Sequence, residues 1–179
     1  VYLLRVNFVG ALGSALHFPI EYAHHLFDEL FAAGKEFGIG MAGMRAMESL
    51  RMEKSYRMWG SDMTRDNTPL EASLDRFVRM NKAAFIGKEA LEKQLAAGVP
   101  NRFVTLEVHG VTDADPLGNE PLFDGKGTMI GRATSGYYGH VLKKSLAIGY
   151  VKSHCATVGT RLEIEILGER KAATVLVDS

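Results

Sequence analysis

The chain has 179 residues, enough for one substantial domain or two small ones. Its 21 basic residues are balanced by 21 acidic ones, which argues against a nucleic-acid binder. No apolar run is long enough to span a bilayer, nothing resembles a signal peptide, and the single cysteine excludes an internal disulfide.

Tyr2 to Val9 alternates as a buried strand does, with Leu4, Val6 and Phe8 on one face. Gly10 and Gly13 punctuate the segment that follows. Pro19 suits a first helical turn, and Ala23, Leu26, Phe27, Leu30 and Phe31 form one stripe that ends near Gly34. A second helix is expected from Gly43, with Met44, Met47 and Leu50 at core spacing and Arg45, Glu48, Arg51 and Glu53 off that stripe. Trp59-Gly60 and Asn67-Thr68-Pro69 break the pattern, because the residue before proline avoids the helical region. Leu70 to Met80 reads as mixed strand and turn. Gly87 to Ala97 reads as a third helix, closed by Gly98 and Pro100.

From Asn101 the texture changes to short strand-like runs: Phe103 to Val108, Thr128 to Thr134, Leu146 to Val151, Arg161 to Leu167 and Ala172 to Val177. Leu162, Ile164 and Ile166 alternate with charged residues, and Gly168-Glu169 suggests a hairpin turn. Closely spaced strands with glycine turns predict a small antiparallel barrel or sandwich. The expected class is therefore α+β, divided into residues 1–98 and 99–179.

Several candidate chemistries have weak support. The glycines of Gly38 to Gly43 match a dinucleotide fingerprint, but a helical end precedes them and no βαβ unit follows. Six histidines show no metal spacing; His24 and His25 are adjacent on a helix and diverge. His154 and Cys155, read on a strand, would project to opposite faces, so a dyad is disfavoured. Asp62, Asp66, Glu71 and Asp75 are expected as solvated turn residues. Arg45, Arg51, Arg57 and Arg65 could each grip a carboxylate bidentately, although most such arginines are surface ion-pair partners.

Four long motifs occur in order: GMRAMESLRMEK, YRMWGSDMTRDNTPLEA, FIGKEAL and IGRATSGYYGHVLKKSLAIGYV. Together they resemble the folate-binding aminomethyltransferase superfamily of the glycine-cleavage T-protein. The likeness is closest to the module fused to FAD-dependent dimethylglycine and sarcosine dehydrogenases. It implies the C-terminal part of an α/β folate-binding lobe over 1–98, followed by a C-terminal β-barrel. It also implies tetrahydrofolate-dependent transfer of an aminomethyl or methylene unit. FAD would belong to an upstream domain of a longer protein, cytoplasmic or in the mitochondrial matrix, and neither nucleic acid nor membrane is implied as a partner. The sequence opens on VYLLRVNFVG without an initiator methionine, consistent with a fragment. The family's catalytic aspartate would lie upstream of Val1, so no catalytic residue is expected within the chain, and the fragment alone is expected to be inactive.

The resemblance assigns folate contacts to three positions. Arg45 matches an arginine that contacts the folate tail. Phe8 and Ala15 fall in the segment that commonly runs Tyr-Val-Gly-Glu-Leu-Gly-Trp-Glu-Leu and reads the pterin ring. Here that segment is Phe8-Val9-Gly10-Ala11-Leu12-Gly13-Ser14-Ala15-Leu16. Ala15 replaces the glutamate that accepts two hydrogen bonds from the ring, a loss expected to cost about 1.5–3 kcal/mol of binding. A non-catalytic scaffold of the same fold, or a site for an altered ligand, is the alternative expectation.

Overall fold

The computed structural model describes residues 1–111 and 113–178. Strands β1 (Tyr2–Val6) and β2 (Gly13–His17) form an antiparallel two-stranded sheet in which Leu4 pairs with Ala15. The expected strand forms, but its side chains are not buried: Leu3 is 68% exposed and Val6 42%. Among the described residues no second layer covers either face. Asn7 shapes the connecting loop by accepting the Gly10 amide on Oδ1 at 2.9 Å. Gly10 has φ +79°, and a Cβ there would meet the Lys54 side chain at 2.6 Å.

A 3-10 turn at Ile20–Tyr22 leads into α1 (Ala23–Gly34), as the Pro19 and Gly34 punctuation predicts. Gly38, in the left-handed region, closes a further 3-10 turn, and α2 (Met44–Met52) follows from Gly43. The helix is where the methionine spacing places it, but it buries a different face. Met44 is 73% exposed, whereas Ser49, Arg51 and Met52 are buried. Leu70 to Met80 contains turns and a 3-10 segment at Asp75–Phe77 rather than a strand. Thr68 and Glu71 cap each other there: Thr68 Oγ1 accepts the Glu71 amide, and Glu71 Oε2 accepts the Thr68 amide. Helix α3 (Lys88–Ala97) ends at Gly98.

The remaining strands are β3 (Asn101–Val108), β4 (Pro121–Phe123), β5 (Met129–Gly139), β6 (Lys144–Lys152), β7 (Arg161–Ile166) and β8 (Glu169–Leu176). They close an antiparallel barrel in the order β3-β6-β5-β4-β7-β8, with β8 returning to β3. Closure removes the open edges of a sheet, and the alternation along β7 sends Leu162, Ile164 and Ile166 into the core. The β7–β8 turn is Leu167-Gly168, one residue earlier than expected; both have positive φ, the twist a two-residue hairpin needs. A second apolar cluster on the barrel wall, formed by Phe103, Leu146 and Ile148, receives Met52 and so docks α2.

Candidate functional site

The junction of α2 with the barrel is built around a buried ion pair. Asp62 is wholly buried and Arg51 is 2% exposed. Asp62 Oδ2 accepts from Arg51 Nη1 at 2.8 Å and from the Met58 amide at 2.8 Å. Its Oδ1 accepts from Thr134 Oγ1 and Ser135 Oγ, each at 2.6 Å. Neighbouring strand residues ordinarily face opposite ways. Here β5 pairs Ala133 with Gly149 and Ser135 with Ile148, leaving Thr134 as the extra residue of a bulge. That bulge lets both hydroxyls reach one carboxylate oxygen. Asp62 is therefore not the solvated turn residue expected from sequence, and Arg51 is structural rather than ligand-facing. Glu48 also holds Arg51, with Oε2 at 2.6 Å from Nε.

Beside this network, Tyr150 has a buried hydroxyl with no protein hydrogen-bond partner. Burial pushes its pKa up to about 12, aided by the charges of Asp62 and Glu71 and opposed by that of Arg57. Arg57 is also buried. It pairs with Asp178 through both Nη atoms, at 3.1 and 2.5 Å, and lies over the Phe103 ring. Arg65 is exposed.

Phe8 lines a cavity of about 310 Å³ with Asn7, Tyr56, Arg57, Met63, Leu74, Arg76 and Phe77. Asn7 Nδ2 donates to the Tyr56 hydroxyl at 3.3 Å, tying the glycine-rich loop to the segment after α2. The Arg76 guanidinium lies over the Phe77 ring at 5.0 Å. Three aromatic rings and two guanidiniums around one opening suit a flat, polar-edged ring.

Arg45 lies elsewhere, in the first turn of α2. It lines a second cavity of about 300 Å³ with Ala114, Asp115, Leu117 and Tyr137. Among the described residues Arg45 has no hydrogen-bond or ion-pair partner. The helix rises about 10 Å from Arg45 to Met52, and the Phe8 cavity is lined by Tyr56 and Arg57, which follow Met52 in the chain. Ala15, half-buried opposite Leu4, lines neither cavity. The structure thus gives Phe8 and Arg45 separate cavities and brings neither together with Ala15. Sequence reasoning did not identify Tyr56, Arg76, Phe77, Asp115 or Tyr137. The aromatic and arginine content of residues 56–77 was the available signal for the first three; Asp115 and Tyr137 left none.

The weaker candidates resolve plainly. The Gly38 to Gly43 run connects a 3-10 turn to α2, without the strand a dinucleotide fold needs before it. Cys155 is buried in the barrel core within a 3-10 turn, and burial raises its thiol pKa. Among the described residues no three His, Cys, Asp or Glu side chains are grouped to hold a metal ion, and no helix is long and apolar enough to cross a membrane.

The closed barrel, with a helix docked on its wall, has counterparts among known proteins. Residues 1–82 match the GCVT N-terminal domain, and residues 101–179 match the glycine cleavage T-protein C-terminal barrel domain. The chain belongs to the aminomethyltransferase superfamily of the glycine-cleavage T-protein. It is 42% identical to mouse mitochondrial dimethylglycine dehydrogenase over 97% of the chain and 20% of that protein. It is 34% identical to the aminomethyltransferase of Caldanaerobacter subterraneus over 97% of the chain and 46% of that protein. The crystal structure of the glycine cleavage system aminomethyltransferase T from Bartonella henselae superimposes with a TM-score of 0.85 at 30% identity, covering 98% of this chain and 48% of that one. The chain therefore spans less than half the length of these relatives.

Proposed function

We propose that this chain is the folate-side module of a protein that takes a one-carbon unit from an N-methylated amine. Oxidation of that amine by FAD is assigned to residues outside the chain, by analogy with proteins named dimethylglycine dehydrogenase. Tetrahydrofolate, when bound, supplies the amine nitrogens that accept the one-carbon unit. The chain's own residues bind and orient it: Phe8, Tyr56 and Phe77 offer faces to a flat ring, and Arg45 offers a guanidinium to a carboxylate tail. The division at residues 98 and 99 into a lobe segment and a barrel belongs to the same proposal. The observation that carries the reading is Arg45, a guanidinium that lines a cavity beside the barrel and has no partner among the described residues.

The residues fit the ligand incompletely: Ala15, which lines neither cavity, stands where the resemblance assigns the ring-binding glutamate, and Ala11 brings no carboxylate either. That observation favours a second reading, a scaffold of the same fold that no longer recognises folate. Calorimetric titration of the intact protein with tetrahydrofolate separates the two. We expect measurable but weak binding by the wild type, and binding tighter by about tenfold to a hundredfold in A15E. Binding by A15E alone would favour the scaffold, and no binding by either would sink the folate reading.

A further inference from the structure

We infer that Asp115 is a second reader of the ligand's tail: the cavity at the start of α2 takes an amino-acid unit, with its carboxylate on Arg45 and the adjoining N–H on Asp115. The inference rests on the folate reading for its expected ligand, the glutamyl unit and its amide. A free N-methyl amino acid shares the same chemistry.

Arg45 and Asp115 are opposite charges lining one cavity of about 300 Å³, yet they form no ion pair. Two such groups that do not satisfy each other leave room for a ligand carrying both an anion and a donor. Asp115 is not a loosely held loop residue. Its Oδ1 accepts from Ser145 Oγ at 2.6 Å, and Ser145 is 6% exposed, so β6 fixes the carboxylate from below. Among the described residues Oδ2 has no partner. The surrounding loop is tied down independently. Glu120 accepts the Leu117 and Gly118 amides at 2.7 and 2.8 Å, and the Asn119 amide donates to Ala133 O at 2.9 Å. Pro116 is fully buried against Gly136, where a Cβ would lie 2.3 Å from the Pro116 carbonyl oxygen. A preorganised acceptor whose second oxygen is unused suits an N–H donor, and a hydrogen bond to a charged acceptor is among the stronger kinds. Tyr137, half-buried on the same wall, gives the stem of the ligand an apolar face.

The test is calorimetry on the intact protein and its D115A and S145A variants, with three probes: tetrahydrofolate, tetrahydropteroate (which lacks the glutamyl unit) and N,N-dimethylglycine. D115A is expected to weaken tetrahydrofolate about tenfold or more and to leave tetrahydropteroate unchanged. S145A, which keeps the acceptor but frees its rotamer, is expected to cause a smaller loss in the same direction. Equal losses for tetrahydrofolate and tetrahydropteroate would show a merely structural role and overturn the assignment, as would no loss. If the wild type binds no folate but binds dimethylglycine in a D115A-sensitive manner, the folate reading fails while Asp115 keeps its role toward a free amino acid. Binding of none of the three probes overturns both.

Discussion

The most demanding consequence of the fold concerns Asp62. Changing it to asparagine keeps the volume and removes the charge, stranding Arg51 at 2% exposure. Removing one partner of a buried ion pair costs about 3–5 kcal/mol, because the remaining charge stays desolvated. Two structural details place D62N near the lower figure. Glu48, 20% exposed on its side chain, still faces Arg51 at 2.5 Å and retains part of the compensation. Asparagine can also still accept from Thr134 or Ser135. The loss is then about 3 kcal/mol, far above the ~0–1 kcal/mol of a surface pair. Urea unfolding can be followed through Trp59, the only tryptophan, whose backbone bridges to Met63 next to Asp62. Combining D62N with R51M should cost less than the sum of the two by about 1–3 kcal/mol, since the double variant strands neither charge. A D62N variant within about 1 kcal/mol of wild type would refute the view that this pair clamps α2 to the barrel.

Two further outcomes follow from the barrel wall. The raised pKa of Tyr150 means that the unfolded chain loses the phenolic proton first, near pH 10, whereas the folded chain keeps it to about 12. Stability should therefore fall as pH rises through that window, and Y150F, which loses only an unpartnered hydroxyl, should flatten the slope in alkaline denaturation curves. G149A should destabilise by about 1–3 kcal/mol in a thermal melt, because its Cβ would lie 2.3 Å from the Arg132 carbonyl oxygen and force β5 away from β6.

Much of the architecture could be read in the sequence where the signals were local. Pro19, Gly34, Gly87 and Gly98 bracket α1 and α3, and alternation marks β7 and most of its neighbours. Strand β2 was missed because its glycine-rich entry shows no alternation, and β4 because three residues are too few to show a period. The buried face of α2 was missed for a different reason. Methionine spacing favoured Met44, Met47 and Leu50, whereas the face was set by Arg51, whose counter-charge lies 11 residues on and whose hydroxyl partner, Ser135, lies 84 residues on at the β5 bulge. In the same way, Arg45 stood out through the family motif, but Asp115 sits 70 positions further along the chain, and only barrel closure brings the two to one cavity.

These two kinds of anchoring differ in what substitutions can disturb. The β1–β2 hairpin pairs only with itself among the described strands, and its side chains are largely exposed. It meets the rest of the chain through contacts such as Asn7 to Tyr56 and Gly10 against Lys54. Residues there, Ala11 and Ala15 included, can change with little consequence for the barrel. Asp115 rests on Ser145 of β6, and α2, which carries Arg45, is held by Met52 in the wall cluster and by the Arg51–Asp62 pair. Changing Met52 or the Arg51–Asp62 pair would strain the fold as well as the cavity. On the proposed folate reading, a chain under weak demand for ring recognition would lose carboxylates from the hairpin first and keep the cavity at Arg45 longest. Alanines on the hairpin beside an open Arg45 and a fixed Asp115 are the pattern that asymmetry predicts.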